Sequence, residues 1–460
     1  MSEEPWTDDE EYPLASEDGD SPPGDGLMLQ GPPTGLEKIY DYEPNGHHPL
    51  HLGDILNKRY KILHKLGSGG YANVWLCCDE TYDSRASSGP RYLAVKVIMA
   101  AASKSSCSEL RVNKLIAMGI AEDVAAELFC IPLDQFSIDG PNGTHLAFVY
   151  PLLGPRVSRL FNKAEDEDFE HTLRKLAAQV TRGMSALHAR GICHGDFRPA
   201  NILTRIQNLD HLSEAELFDL IGIPEKTNVT TASNTPHTLP SAPQYLVYPI
   251  IWEDIAQSST AEPIITDKAC IIDFGNSYMV DDPPPHLGIP QIYCAPEYTI
   301  EKKIGIGSDL WALGCTIFEI RTGRRLFDTF DDDPDENLWK IAMILGRYPE
   351  PWWSETWTAR RSIFFDDVDE EGKVVDVLAA KQGEEEKDAN VWQKPWARSL
   401  QEEIKEGLVY MFRDRPGGVE RGISGSEVEC LADLLGRLLR YVPAERVGAE
   451  EALKHAWFEL

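Results

Sequence analysis

Three things are scarce in this sequence of 460 residues: paired cysteines, long apolar runs and basic side chains. The nine cysteines form no C-x-x-C pair, which argues against a disulfide framework or a zinc site and favours reduced intracellular thiols. No apolar run approaches the roughly 18 residues of a membrane span, and the N-terminus is acidic where a signal peptide is basic and then apolar. We therefore expect a protein of the cytoplasm, the nucleus or both, without a membrane partner.

The deficit of basic residues leaves a net charge of −31, from 44 Lys and Arg against 75 Asp and Glu. Nucleic acid is an improbable direct ligand, since binding a phosphate backbone requires Lys and Arg clusters. Residues 1–25 hold ten acidic and no Lys or Arg side chains, and we expect residues 1–45 to form a disordered acidic tail. The rest of the chain is also acidic, which suits a basic partner.

Hydrophobic patterns divide the remaining chain into two unlike halves. A strand-rich section with one helix is followed by a mainly helical section, which predicts an α+β fold with two lobes, residues 46–153 and 154–460. The predicted elements are strands at 59–66, 74–76, 92–98 and 146–150, and helices at 110–118, 173–187 and 308–322. Two stretches have the composition of insertions, at about 205–267 and about 328–406.

The segment 194–201 (HGDFRPAN) carries the clearest chemical signal. Asp196 is followed five residues later by Asn201, a spacing that can place a carboxylate against a hydroxyl nucleophile and an amide oxygen on a metal ion. This arrangement is suited to phosphoryl transfer.

Three further motifs stand in the order that this chemistry requires. Residues 67–74 (GSGGYANV) form a glycine-rich segment, in which backbone N–H groups can approach phosphate oxygens. Lys96 follows in an A-V-K strand and can neutralise phosphates, and Glu109 can hold that lysine, although a surface charge is the alternative for Glu109. Asp273 ends an apolar strand as the first residue of D-F-G and can bind a magnesium ion.

As a set, these motifs resemble those of eukaryotic protein kinases over roughly residues 50–460. The H-G-D triplet also resembles that of small-molecule phosphotransferases of the aminoglycoside and choline kinase type. Three later features favour the protein kinases: the A-P-E at 295–297, the D-x-W-x-x-G at 309–314, and Arg446, placed to pair with Glu297.

Within protein kinases, the chain resembles the SR-protein kinases, especially their fungal relatives. The resemblance lies in residues 46–54 (GHHPLHLGD), the long insertion before D-F-G, the D-F-G-N at 273–276, and Ala72 in place of the third loop glycine. It implies an ATP-dependent serine/threonine kinase that acts on Arg/Ser-rich proteins and contributes to the regulation of mRNA splicing. An acidic kinase-like scaffold that only binds Arg-rich partners is the alternative.

Departures from the family pattern lie around the catalytic loop. Gly195 replaces the Arg that pairs with an activation-loop phosphate in many kinases, and between Asp273 and Glu297 the only hydroxyls belong to Ser277, Tyr278 and Tyr293. With three prolines at 283–285, this predicts activity without activation-loop phosphorylation. Residues 288–290 (GIP) lack the Thr that usually ties the substrate loop to the catalytic Asp.

The resemblance assigns a role to each motif residue. Asp196 orients the substrate hydroxyl and accepts its proton, Arg198 stabilises the transferred phosphoryl group, Lys96 holds the phosphates and Glu109 positions Lys96. Asn201 and Asp273 bind Mg²⁺. ATP is bound by Leu66, Gly67, Ser68, Gly69, Gly70, Tyr71, Ala72, Val74, Ala94, Lys96 and Leu153, the last in the hinge that follows residues 149–150. We expect a monomer.

Overall fold

The computed structural model describes residues 26–83, 89–105, 107, 109–110, 119, 126–160, 164, 166–255, 264–329, 332–360, 398–411 and 417–460. Its strands are β1 (Leu27–Leu29), β2 (Ile55–Leu56), β3 (Tyr60–Gly69), β4 (Ala72–Asp79), β5 (Tyr92–Ile98), β6 (Asp134–Gly140), β7 (Gly143–Pro151), β8 (Leu153–Arg156), β9 (Ile192–Cys193), β10 (Ile202–Ile206), β11 (Lys226–Thr231), β12 (Tyr245–Val247), β13 (Ile265–Ile271), β14 (Tyr278–Met279), β15 (Leu408–Met411) and β16 (Gly418–Arg421). Its α-helices are α1 (Phe169–His188), α2 (Glu214–Ile221), α3 (Trp252–Ile255), α4 (Pro296–Glu301), α5 (Ile306–Thr322), α6 (Pro334–Leu345), α7 (Leu400–Lys405), α8 (Gly425–Leu438) and α9 (Ala449–Ala452). Among these helices, none combines the length and apolarity that crossing a membrane requires.

The small lobe is a six-stranded antiparallel sheet in the order β2-β3-β4-β5-β7-β6. Trp75, Val95 and Ala147 pack together on one face of this sheet, and all three are buried. The predicted strands at 59–66, 74–76, 92–98 and 146–150 are confirmed as parts of β3, β4, β5 and β7. The predicted helix at 110–118 lies outside the described residues beyond its first position, Leu110.

The large lobe is built on two long helices, α1 and α5. Apolar residues recur in α1 at helical spacing and are buried, which confirms the predicted core face of 173–187. Helix α5 is buried almost throughout and ends at Gly323, as predicted. The α+β fold with two lobes is therefore confirmed.

The predicted boundary of the disordered tail is wrong for residues 26–45. Strand β1 pairs with β11, and the segment that follows it buries Leu36, Glu37 and Tyr42. Composition suggested disorder because the apolar residues here are few, but their partners lie about two hundred residues away in the chain. Residues 1–25 lie outside the described part of the chain.

The first insertion is an ordered layer on the small lobe as far as residue 255. Helix α2 begins with a capping box, in which Ser213 and Glu216 each satisfy a backbone N–H of the other. Leu217 of this helix and Ile250 pack with Leu63 of β3. The chain therefore leaves the large lobe after β10, covers part of the small-lobe sheet, and returns at β13.

The second insertion is described in part. Helix α6 is capped by Asp333, whose side chain accepts hydrogen bonds from the N–H groups of Asp335 and Glu336. The predicted insertion residues 361–397 lie outside the described ranges. The domain boundaries at 153 and 154 and the limits of both insertions stay predictions.

Candidate active site

The lysine of strand β5 lies between two carboxylates. Lys96 Nζ pairs with Glu109 Oε1 and lies 3.7 Å from Asp273 Oδ1. The other oxygen of Glu109 accepts a hydrogen bond of 2.7 Å from the Tyr150 hydroxyl. Burial alone would lower the pKa of Lys96, but the Asp273 and Glu109 charges raise it. The structure thus brings the three predicted residues together, with Lys96 charged.

The catalytic-loop segment 196–201 folds around Asp196. Asn201 closes a short 3₁₀ turn that begins at Pro199, and its amide nitrogen donates to Asp196 Oδ2 at 2.8 Å. Arg198 Nε donates to Asp196 Oδ1, also at 2.8 Å. Both oxygens of the expected base are therefore oriented by residues that the sequence had placed in the site.

The charge on Asp196 is opposed by its surroundings. Burial raises the pKa of Asp196 to about 8, against the lowering effect of the Asn201 hydrogen bond, and the nearby Asp273 and Asp309 carboxylates add to the rise. The guanidinium of Arg198 acts in the opposite direction, because it favours the ionised carboxylate. Arg198 is thus a cation placed to oppose the rise in the pKa of Asp196.

A residue that was identified only as a family marker, Asp309 at the start of α5, holds the loop in place. Its carboxylate accepts the backbone N–H of His194 at 2.7 Å and that of Gly195 at 3.0 Å. The ring of His188, at the end of α1, lies 3.1 Å from the same carboxylate. The D-x-W-x-x-G motif could have suggested this role, but Tyr150 and His188 carry no sequence signal of their own.

The glycine-rich segment forms the hairpin between β3 and β4. Gly69 pairs with Ala72, which leaves Gly70 and Tyr71 at the tip, and Tyr71 is 76% exposed. Ala72 itself is buried within the strand, so no glycine is needed at that position. Of the other predicted nucleotide-binding residues, Ala94 lies on β5 and Leu153 opens β8.

Buried hydroxyl groups hold the activation segment in place. Ser277 Oγ donates to the His194 carbonyl at 3.1 Å, and the Tyr293 hydroxyl donates to Glu319 at 2.6 Å. Tyr278 pairs with Cys193 between β14 and β9. Because these three hydroxyl-bearing residues are buried, they are poor targets for phosphorylation.

The substrate loop contacts Asn276 at the position where a Thr is missing. A Cβ built on Gly288 would lie 2.9 Å from Asn276 Oδ1, so the two residues touch closely.

The buried pair that we expected between α4 and the C-terminal region is present. Arg446 Nη1 and Nη2 donate to the two oxygens of Glu297 at 2.6 and 2.7 Å, and both residues are buried.

The two expected magnesium ligands offer the right donor atoms. Asn201 uses its amide nitrogen toward Asp196, which leaves the amide oxygen as the atom that can face a cation. Asp273 presents a carboxylate that is 43% exposed in the cleft. Oxygen donors of this kind fit a hard divalent cation.

Comparison with known proteins gives the same family. A model of the protein kinase domain matches residues 261–458. The serine/threonine-protein kinase SRPK of Physarum polycephalum is 28% identical over 332 residues, which cover 68% of this chain and 73% of that protein. Both of these matches are to protein kinases.

Other relatives of this kinase agree. SRSF protein kinase 3 of Homo sapiens is 30% identical over 167 residues, which cover 35% of this chain and 28% of the human protein. The crystal structure of another kinase domain has a TM-score of 0.54 and 18% identity, and it covers 90% of this chain and 98% of its own. The predicted serine/threonine protein kinase and its relation to the SR-protein kinases are confirmed, whereas the fungal subtype stays a prediction.

Proposed function

We propose that this kinase uses Mg²⁺ and ATP to phosphorylate serine or threonine in Arg/Ser-rich proteins. The observation that carries the proposal is the pairing of the motif side chains with one another. Asp196 and Asn201 are 2.8 Å apart, Lys96 lies 3.7 Å from Asp273, and Glu109 holds Lys96. The comparisons lend no support to the scaffold or to a small-molecule phosphotransferase.

The proposed chemistry assigns a task to each of these groups. Asp196 accepts the proton of the substrate hydroxyl, while Arg198 favours the ionised form of Asp196 and places positive charge beside the transferred group. Lys96 binds phosphate oxygens, and Asn201 and Asp273 hold Mg²⁺, which when bound neutralises charge on the phosphates. The backbone of the glycine-rich hairpin covers the nucleotide.

Acidic residues near the substrate loop support a basic substrate. Asp332 is exposed and its carboxylate accepts the Gln291 N–H at 2.9 Å, at the end of that loop. Asp328 is also exposed nearby in sequence. Guanidinium groups suit such carboxylates, and the net charge of −31 would attract a cationic chain from a distance. We further propose a monomer of the cytoplasm or nucleus that does not bind nucleic acid directly.

Phosphate transfer from labelled ATP to an Arg-Ser repeat peptide tests the proposal, with a Gln-Ser repeat and a generic basic protein as comparison substrates. We expect preferential transfer to the Arg-Ser peptide, and a loss of roughly 10²- to 10⁴-fold in kcat for Asp196→Asn. The Asp196→Asn variant should still bind ADP, since Asp196 does not contact the nucleotide in this scheme.

Other outcomes would count against the proposal. Equal transfer by the Asp196→Asn variant would remove the assigned base. Nucleotide binding by wild type without transfer to any substrate would instead support the scaffold. Transfer to the generic protein alone would leave a protein kinase with a different specificity.

A further inference from the structure

A carboxylate from outside the two lobes is buried inside the small lobe. Glu37 lies in the segment between β1 and β2, and its Oε1 is 2.8 Å from Nζ of Lys65 on β3. The side chains of Glu37 and Lys65 are only 2% and 1% exposed. The Lys65 ammonium also lies over the Trp75 ring, 4.3 Å from its centroid. This ion pair is therefore shielded from water on all sides.

Further polar groups fix the Glu37 carboxylate. The Tyr42 hydroxyl donates to Oε1 at 2.6 Å, and Asn73 Nδ2 lies 3.5 Å from the same oxygen and 3.4 Å from the Tyr42 hydroxyl. Burial would raise the pKa of Glu37, but the charge and hydrogen bond of Lys65 lower it below its usual value. Glu37 is therefore ionised, and Oε1 is the oxygen through which it is held.

Lys65 stands at the base of the glycine-rich hairpin. It pairs with Trp75 in the β3–β4 ladder, and the register shifts directly after it, before Gly67 pairs with Val74. A register shift bends the strand at that point. The direction in which the hairpin leaves the sheet therefore depends on how Lys65, the residue before the shift, is held.

The main chain of Lys65 is held as well as its side chain. Its carbonyl accepts the N–H of Ile250 at 3.0 Å, and Pro249 forms a parallel bridge with it. Both belong to the first insertion. The Glu37 segment is attached to the same insertion, because the Tyr248 hydroxyl donates to the Pro32 carbonyl at 2.8 Å. The N-terminal segment thus holds the side chain of Lys65, and the insertion holds its main chain.

We propose that Glu37 is a positioning residue for the glycine-rich hairpin, so that nucleotide affinity depends on a segment that precedes both lobes. Loss of one partner of a buried ion pair leaves an uncompensated charge, which the structure relieves by moving. Lys65 would then draw β3 toward solvent and displace the adjacent hairpin. The inference rests on the proposed function only in assuming that this hairpin covers the nucleotide.

The test compares Glu37→Gln with Glu427→Gln in the full chain. Glu427 is a matched control because it accepts two hydrogen bonds from Arg321, at 2.7 and 2.9 Å, in another buried pair within the large lobe. The measurements are the Kd for ADP, the KM for ATP and for peptide, the unfolding midpoint, and amide hydrogen exchange over residues 66–72.

Both variants should lose stability, but only Glu37→Gln should raise the Kd for ADP and the KM for ATP, by about tenfold, a typical size for coupling between two positions. The KM for peptide should not change, and exchange at 66–72 should accelerate only in Glu37→Gln. Tyr42→Phe, which removes one hydrogen bond and keeps the ion pair, should fold and show a smaller increase in both values.

The inference is overturned if folded Glu37→Gln and Tyr42→Phe bind ADP as wild type does, or if Glu427→Gln weakens ADP binding equally. If Glu37→Gln does not fold, Tyr42→Phe alone decides the outcome. If the wild type binds ADP but transfers no phosphate, the proposed function is contradicted. The comparison of ADP binding among the variants would still test the role of Glu37.

Discussion

Gly195 allows the catalytic loop to approach the activation segment closely. Its φ is +79°, and a Cβ there would lie 2.3 Å from the Asn276 carbonyl oxygen. The catalytic loop and the activation segment therefore meet backbone to backbone, at the position where many kinases carry an Arg. Activity without activation-loop phosphorylation stays a prediction, with which this contact agrees.

We expect Gly195→Ala to lower kcat at least tenfold, because the catalytic loop must move away from Asn276 and take Asp196 with it. Positive φ alone costs an alanine about 1–3 kcal/mol. Gly222→Ala is the matched control, since Gly222 has φ +86° and open space around its Cβ. Peptide kinetics and urea unfolding of both variants separate the two effects. Equal losses of kcat in both would show that backbone strain alone is responsible.

The rate should depend on pH through Asp196. Only the ionised carboxylate accepts a proton, and burial raises the pKa of Asp196 to about 8, so kcat should fall as pH decreases, with a midpoint no higher than that value. Arg198→Met removes the cation and should shift this midpoint upward, while Arg198→Lys should shift it less. Profiles of kcat from pH 6 to 9.5 provide the measurement. A downward shift in Arg198→Met would contradict the assigned role.

Local patterns predicted the site residues that one short segment carries. Asp196 and Asn201 lie within a single turn, and Lys96 lies on a strand whose apolar neighbours are plain in the sequence. Asp309 and Tyr150 were not assigned roles, because each acts through a contact with a distant segment. Glu37 was placed in the disordered tail, because the residues around it in the sequence give no sign that it pairs with Lys65.

At the scale of elements, too, the sequence predicted features that one segment carries and missed those that depend on a distant segment. Strand β5 matches its predicted limits of 92–98, because Lys96 is the one charged residue in an otherwise apolar stretch. Strand β1 was missed because three residues become a strand only through pairing with β11. The structure of the first insertion likewise depends on its packing against Leu63 of β3, and the sequence does not reveal that contact.

The buried pair of Arg446 and Glu297 joins α4 to the C-terminal region and should contribute strongly to stability. Arg446→Met leaves Glu297 charged and buried, so we expect a loss of about 3–5 kcal/mol in the free energy of unfolding. Lys454→Met is the control, because Lys454 and Glu451 form a pair on the surface, so the loss of that pair should change the free energy of unfolding far less. Urea unfolding measures both. Similar losses in the two variants would show that the Arg446 pair contributes no more than a surface pair.

At the scale of the whole molecule, the insertion connects the two lobes a second time. It begins after β10 and ends at β13, both in one small sheet with β8, and between them it packs on β3. The two lobes are therefore joined by this contact as well as by the hinge. Buried hydroxyls hold the activation segment, and the insertion packs on the small lobe, so both sides of the cleft are held by contacts within the chain.

The charge of the whole chain makes a prediction of its own. If carboxylates attract an Arg-rich substrate, added salt should weaken that attraction, because the screening length decreases from about 10 Å at 0.1 M to about 3 Å at 1 M ionic strength. We expect the KM for an Arg-Ser peptide to rise by roughly an order of magnitude between low and high salt, since such steering acts mainly on association. The KM for a Gln-Ser peptide and the kcat for both should change little. Equal salt dependence for the two peptides would mean that the net charge of −31 keeps the chain soluble without selecting its substrate.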